Sequence, residues 1–405
     1  MILKPDDAAR LAEMVAGALA EGAPLEIVGG GTKRGLGRPM QTRATLDLSG
    51  LAGVTLYEPD ELVLSAHAGT RLADIEAAVA AQGQMLAFEP PDLGPLWGAA
   101  VGAQTIGGVL ATNLAGPRRI KAGAARDHFL GAEAVGGRGE AFKAGGRVVK
   151  NVTGYDLCKL FAGSHGTLVA LHGVTLKVMP MPEKTRTVLL LGLEPAAAVA
   201  ALAAALGSAH EVSGAAHLPA SLARRSAVDL VARAGAAVTA VRVEGPGPSV
   251  AVRCAALREQ LGRGAEAAEL HSMRSLALWR EVRDVASLLP DVTAALWRVS
   301  VAPSDGPAVA AAVAARAPTE VLFDWGGGLL WLAVPGTGDA GAAIVRAAVD
   351  AVGGHATLVR ADAAVRAVVP PFHPQPAALA ALSRRVKDQF DPRRILNPGR
   401  MAADL

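Results

Sequence analysis

Cysteine, aromatic residues and net charge are all scarce in this chain. Only two cysteines, Cys158 and Cys254, occur in 405 residues. They form no CxxC pair and no zinc-ligand spacing, and two are too few for a disulfide framework. Thiol-redox and structural-zinc classes are thereby excluded, and a reducing compartment, the cytoplasm, is expected. Aromatics make up 3% of the sequence, so the cores must be built from alanine and branched aliphatics. A net charge of +3 gives no case for nucleic-acid binding or electrostatic membrane attachment. The opening MILKPDDAARLAEMV has acidic residues and no apolar core, so it is not expected to be a signal peptide. The longest stretch without charge, Leu93–Pro117, is long enough for a membrane helix, yet six glycines, Gln104, Thr105, Thr112 and Asn113 break it up. It reads instead as a buried, glycine-rich ligand wall.

Glycine, by contrast, is abundant, with 46 residues. The most distinctive run is EIVGGGTKRGLG, Glu26–Gly37. A short apolar strand, Leu25–Val28, runs into Gly29, Gly30 and Gly31, then Thr32 and Lys33. Consecutive glycines let backbone N–H groups turn toward one point, forming an anion-binding nest. Arg34 stands where the GxGxxG fingerprint needs glycine, and no Gly-Lys-Ser/Thr follows the spacer of a Walker loop. Two readings of the stretch remain, a glycine-rich turn and a cradle for a diphosphate.

A chain of this length predicts two or three domains. A helix is expected over Lys4–Glu21, capped by Asp6 or Asp7 and stopped by Gly22. Strands at Thr45–Leu48 and Leu62–Ala68 and a helix at Leu72–Gln82 follow. A hairpin is expected at Leu130–Val135 and Ala141–Lys143, then a strand at Arg147–Lys150. Thr153 with Asp156 matches a capping box for a helix Tyr155–Ala162. Irregular alternation of strands and helices predicts α+β architecture. Met179–Glu183 marks the first boundary. Beyond it the spacing predicts strands Thr187–Leu193 and Val238–Val243 and helices Pro195–Leu206, Ser249–Leu261 and Pro307–Ala315. Val321–Trp325 and Leu329–Val334 should form a hairpin around Gly326–Gly328, with the helices on one face of an antiparallel sheet. A helix Arg384–Phe390 leads into Asp391-Pro392-Arg393-Arg394-Ile395-Leu396-Asn397-Pro398-Gly399, a tail specified enough to dock.

Gly29-Gly30-Gly31-Thr32, Thr105-Ile106-Gly107-Gly108 with Asn113, Gly154-Tyr155-Asp156-Leu157, Gly163-Ser164-His165-Gly166-Thr167 and the Asp391–Gly399 tail occur in this order. In these motifs the chain resembles the FAD-linked oxidases with a vanillyl-alcohol-oxidase-type (PCMH-type) flavin domain. Gly116-Pro117-Arg118-Arg119, Arg126-Asp127, Lys150–Asp156 and Asp324-Trp325-Gly326-Gly327 narrow the resemblance to the FAD-binding subunits of bacterial glycolate oxidases. The resemblance implies an FAD domain of two α+β subdomains over residues 1–180, a smaller α+β cap with an antiparallel sheet over 185–370, and a helix and tail over 375–405 returning to the FAD domain. It implies that Gly29, Gly30, Gly31, Thr32 and Lys33 hold the FAD pyrophosphate. Pro90, Pro91, Thr105, Ile106, Gly107 and Gly108 would line the flavin and ribityl region. Asn113, Arg126 and Asp127 would contact the cofactor or shape its pocket, and Gly163, Gly166 and Thr167 would lie on the adenine side.

Relatives with covalent FAD carry a histidine in the phosphate loop; Thr32 and Lys33 stand there instead, which implies non-covalent FAD. Metal-dependent 2-hydroxy-acid dehydrogenases of the family carry an HxH motif. This chain has nine histidines and no such pair, so no metal is expected and no catalytic base is named. The function implied is a flavoprotein subunit of a glycolate oxidase complex, completed by a larger paralogous flavin subunit and an iron–sulfur subunit. Its place would be the cytoplasm, at most peripheral to the membrane through those partners. A self-sufficient D-2-hydroxy-acid (D-lactate) dehydrogenase and a non-catalytic FAD-holding assembly subunit are the alternatives.

Overall fold

The first helix forms where its spacing and caps place it, over Ala8–Glu21. Asp7 accepts from the Arg10 N–H, and Gly22 ends the helix in the left-handed region with φ 61°. The structure, a computed structural model, describes residues 1–148, 154–336 and 338–405. They divide into two compact units. The first comprises Met1–Ala115, Gly123–Met181 and Pro370–Leu405; the second comprises Gly116–Ala122 and Pro182–Val369. Gly116–Ala122 is a brief excursion of the chain out of the first unit.

Among the described residues the first unit contains three sheets, the smallest a pairing of Gln84–Met85 with Met179–Pro180. Ile2–Leu3, Ala44–Asp47 and Leu25–Val28 form a three-stranded parallel sheet. Leu11 and Val15 of the first helix pack on Leu25 and Leu46, together with Ile395 and Leu396 of the tail. Each such fully buried aliphatic contributes about 1.5–3 kcal/mol. Val54–Glu58, Val63–His67, Val169–Lys177, Phe129–Gly136 and Ala141–Gly145 form a five-stranded antiparallel sheet in that spatial order. One face carries Leu64, Ala66, Ala132, Ala134, Val174 and Leu176 into a core with the helices Leu72–Ala80 and Ile106–Thr112. Arg147 and Val148 are not in a strand; the rest of the expected strand and Thr153 of the expected capping box lie outside the described residues. Helix Leu157–Phe161 is capped by Asp156, whose carboxylate accepts from the Lys159 N–H at 3.2 Å.

The tail helix runs from Ala377 to Phe390, twice the expected length, because Pro376 rather than Arg384 precedes its first turn. Its register is fixed by a buried ion pair. Lys387 Nζ donates to Asp391 Oδ2 at 2.6 Å, to the Thr167 carbonyl at 2.6 Å and to the Leu396 carbonyl at 2.9 Å. The same carboxylate accepts from the N–H groups of Ile395 and Leu396 at 3.0 and 2.7 Å. The tail then runs parallel to the Leu25 strand, Leu25 donating to the Ile395 carbonyl and Asn397 to the Leu25 carbonyl.

The second unit is an eight-stranded antiparallel sheet with helices. Its order is Glu266–His271, Lys184–Leu191, Val238–Gly245, Val212–Leu218, Glu320–Asp324, Leu329–Val334, Ala295–Val301, Gly354–Arg360. Two four-stranded halves meet at one bridging pair, His217 and Phe323. Helices do not keep to one face as expected. Val188 and Leu190 point to the side of Pro195–Leu206 and Gly247–Leu261. Thr187, on the opposite face by strand alternation, meets helix Ser272–Arg283 through Ser275 at 2.6 Å and the Trp279 indole N–H at 2.8 Å. No helix is expected from the sequence over Ser272–Arg283, because Arg274, Arg280, Glu281 and Arg283 interrupt its apolar positions. No helix among the described residues is long and apolar enough to cross a membrane.

Candidate cofactor site

The strand Leu25–Val28 delivers the glycine loop to one wall of a cleft in the first unit. A Cβ on Gly29 would stand 2.3 Å from Thr105 Oγ1, and one on Gly30 would stand 1.8 Å from the Ala103 carbonyl oxygen. Both positions therefore require glycine, Gly29 because the Thr105 side chain lies behind it and Gly30 because the Ala103 backbone does. Gly31 differs: its φ is 70°, and a Cβ there would meet nothing within 4 Å. Among the described residues, no partner accepts from the backbone N–H groups of Gly30, Gly31, Thr32 or Lys33. Gly30 and Gly31 are exposed, so these donors face the open side of the cleft, where a ligand can take the place of water.

Facing the loop is the start of helix Ile106–Thr112. Thr105 caps it, accepting from the Gly108 N–H. Gly107 packs against Ala68, with no room for a Cβ. Lys33 reaches across, its Nζ donating to Gln104 Oε1 at 3.0 Å and Thr32 Oγ1 at 3.3 Å. Both acceptors are neutral. Desolvation pulls the ammonium from its ordinary 10.5 down to about 8, only partly opposed by the charge of Asp92. Asp92 is itself engaged in holding the Gly94 and Gly102 N–H groups.

The tail completes the cleft. Asn397 Oδ1 accepts from the Ile27 N–H and its Nδ2 donates to the His165 carbonyl, both at 2.7 Å. One side chain thus ties the glycine-loop strand to the Ser164–Thr167 turn. Arg400 Nη2 donates to the Lys33 carbonyl at 2.6 Å, and its own carbonyl accepts from the Arg38 N–H at 2.9 Å. His165 lines the cleft. Burial, with the charge of Arg400, pulls its imidazole down to about 3, so it is neutral throughout the physiological range and a weak base.

Of the residues singled out from sequence, Gly29, Gly30, Gly31, Thr32, Lys33, Thr105, Gly107, Gly108 and Gly166 line this one cleft. The others lie elsewhere. Pro90 and Pro91 are buried and do not line it, and Ile106 is core. Asn113 ends the Ile106–Thr112 helix with φ 49° and accepts from the Arg126 N–H at 3.0 Å. Arg126 is exposed and receives the Lys159 ammonium on its carbonyl. Asp127 accepts from the Ala124 N–H at 2.8 Å. These three brace the chain leaving the helix. Gly163 and Thr167 line a second, more apolar hollow beside the tail helix. Gln104, Thr112 and Ser164 belong to the first cleft or its support; they fall in the stretches read as ligand wall and adenine-side motif without being named as site residues, whereas Arg400 was not anticipated. Nothing in its residue type marks Arg400 out in the sequence.

Three comparisons bear on this cleft. The FAD binding domain family matches residues 1–145. The chain is 35% identical over 405 residues to the glycolate oxidase subunit GlcE of Escherichia coli, covering the whole of both chains. The chain belongs to the GlcE family of FAD-linked oxidases. A D-lactate dehydrogenase of Anaerostipes hadrus is 33% identical over 162 residues, which is 40% of this chain and 31% of that one. Among solved structures, a 4-ethylphenol oxidase from Gulosibacter chungangensis shares the fold across the whole chain and 89% of its own, with a TM-score of 0.72 at 16% identity. The fold is therefore the PCMH-type flavin domain followed by an α+β cap, and FAD is the cofactor. The cleft fits its diphosphate on this chain's own evidence. Gly31 opens onto free space, four N–H groups await acceptors, and a buried ammonium has only neutral partners. The desolvation of the ammonium is a cost that a bound anion removes, and the open donors supply its hydrogen bonds.

Proposed function

We propose that this chain is the FAD-holding subunit of a 2-hydroxy-acid oxidase complex that converts glycolate to glyoxylate and passes the electrons to partner subunits. The partners proposed are a larger paralogous flavoprotein and an iron–sulfur protein, and the location is the cytoplasm, peripheral to the membrane through them. The observation that carries the reading is the cleft: a glycine loop with orphan donors and a buried Lys33, in a chain related over its full length to GlcE. Bound there, FAD would supply the hydride acceptor. The chain's own residues bind and orient it. The N–H groups of Gly30–Lys33 and the Lys33 ammonium take the diphosphate, and Asn397 and Arg400 hold the loop in place. With Thr32 where covalent relatives carry histidine, the cofactor is held non-covalently. The neutral imidazole of His165 acts as wall and hydrogen-bond partner, not as the base that removes the hydroxyl proton.

A spectrum of the purified chain tests the cofactor. Flavin absorbance that stays in solution when the protein is precipitated is expected. A colourless chain that cannot be reconstituted with FAD would overturn the reading. Anaerobic glycolate then tests the reaction: bleaching only when partners are present supports a relay subunit. The partial likeness to D-lactate dehydrogenases favours one rival, a self-sufficient D-2-hydroxy-acid dehydrogenase, which predicts bleaching of the lone chain by D-lactate.

A further inference from the structure

Two motifs that the flavin cleft leaves unused come together in the second unit. The Trp325 indole N–H donates to the Gly116 carbonyl at 3.0 Å, across 209 positions of sequence. Trp325 does not continue its strand, as the hairpin pattern suggested. It sits at φ 51°, followed by Gly326 at 70° and Gly327 at 103°. A bulky aromatic held in the left-handed region costs about 1–3 kcal/mol and persists only where its surroundings over-determine it. Here they do. Asp324 accepts from the Trp325 N–H at 2.7 Å, and a Cβ on Gly327 would stand 2.7 Å from Val199.

The Gly116–Ala122 excursion is pinned just as firmly. Arg118 makes a two-pronged pair with Glu244 at 3.0 and 2.9 Å. Ile120 packs into the aliphatic core beneath the sheet, and Lys121 meets Glu211 at 3.2 Å. Of the segment's three cations, only Arg119 has no acceptor among the described residues. Its guanidinium lies over the Trp325 ring, 4.3 Å from the centroid. Arg298, from strand Ala295–Val301, lies over the same ring at 5.1 Å. Its guanidinium too has neither hydrogen bond nor ion pair with a described residue. Desolvation and the nearby charge of Arg119 lower its pKa to about 10, against the pull of Asp324. Two like charges share one strained indole, with one buried carboxylate in range. That leaves a net charge of about +1, suited to a monoanion.

We propose that Arg119 and Arg298 hold a small organic acid by its carboxylate beside the Trp325 ring. Planar guanidinium forks match a carboxylate and stack on indole, which an ammonium cannot do equally well. The site is built within the second unit and needs no residue of the flavin cleft. The oxidase reading enters only in the choice of probe.

The test is a calorimetric titration of the full chain as purified with glycolate, acetate, inorganic phosphate and chloride, with indole fluorescence followed in parallel. Saturable binding of the two carboxylates at one site is expected, with a change in emission from Trp325. Arg119→Gln and Arg298→Gln should each weaken it at least tenfold, and Arg119→Lys should weaken it less. Arg119 is exposed, so its variant keeps the test valid if Arg298→Gln misfolds. Unchanged affinity in Arg119→Gln, no saturable binding of either acid, or equal competition by chloride would each overturn the proposal. The outcome is separable from the flavin reading. A flavin-loaded chain whose acid binding ignores both arginines sinks this site alone; a flavin-free chain that binds acids through them sinks the other.

Discussion

Replacing Lys33 by methionine should make the ligand-free protein more stable and its flavin less tightly bound. The opposite signs follow from one observation. In the cleft, Lys33 has an ammonium whose pKa falls from 10.5 to about 8 because burial is not offset by an acidic partner in contact. At about 1.4 kcal/mol per tenfold change in acidity, that burial costs the ligand-free state roughly 3 kcal/mol at pH 7. The folded form binds fewer protons than the unfolded one between about pH 8 and 10.5, so ligand-free stability rises with pH across that window. Methionine keeps the length and removes the penalty. The recovered stability should be about 1–3 kcal/mol, less whatever Gln104 and Thr32 lose. A bound diphosphate reverses the balance, since a charge-assisted hydrogen bond is worth about 1.5–3 kcal/mol. FAD affinity should therefore fall about 10- to 150-fold in the variant. It should also be flat below pH 8 in the wild type and decline by up to tenfold per pH unit above it, as the ammonium must be reprotonated to bind. Lys33→Met should lack that decline. The assays are urea denaturation of deflavinated protein and quenching of FAD fluorescence between pH 6 and 10. Equal FAD affinity in the two proteins at pH 7 would refute the reasoning.

Gly31→Asp should put a carboxylate into the cleft without a steric clash, since a Cβ there meets nothing within 4 Å. Gly31→Asn shares its left-handed strain of about 1 kcal/mol but no charge, so only the aspartate should empty the protein of flavin, read from the absorbance ratio. At Gly30 any side chain would strike the Ala103 carbonyl, and charge could not be separated from shape. Asp391→Ala strands the Lys387 ammonium, 1% exposed, and should cost about 3–5 kcal/mol in urea denaturation. Asn397→Ala frees the Ile27 N–H and the His165 carbonyl together. It should lower stability by about 1–3 kcal/mol and increase flavin release, measured by dialysis against buffer.

The glycine loop was legible because a backbone nest leaves its mark in composition: only glycine tolerates the approach of Ala103 and Thr105 behind Gly29 and Gly30. The α+β alternation and the Ala8–Glu21 helix were legible from period and caps. Asn113, Arg126 and Asp127 were a different matter. A short amide that ends a helix and one that meets a cofactor are the same residue type, and only position separates them. Asn397 and Arg400 bond to residues some 370 positions away, and no local pattern encodes such a partner. The excursion Gly116–Ala122 was invisible for another reason. Chain crossing from one unit to the other needs no linker composition when the crossing segment is itself packed, as Ile120 is, and paired, as Arg118 and Lys121 are.

The two glycine runs of this chain show how little composition says about use until the neighbours are known. Gly29–Gly31 follows a strand and precedes Thr32 and Lys33; Gly29 is shut in by the Thr105 side chain, Gly30 by the Ala103 backbone, and the third opens onto space. Its product is a set of unmatched donors, and the binding energy waits for a ligand. Gly326–Gly328 also follows a strand, with no cation next to it in sequence, and so read as a plain turn. Its glycines are shut in by Leu206, Val199 and Pro303. Its product is not a nest but a forced side chain, Trp325, onto which the cations come from Arg119 and Arg298. In the first run the backbone is the recognising surface and the charge is local. In the second the backbone only sets the angle of an indole, and the charge is supplied by distant strands and loops. Both runs leave positive charge without a full complement of acceptors, which is why a binding role can be argued for each.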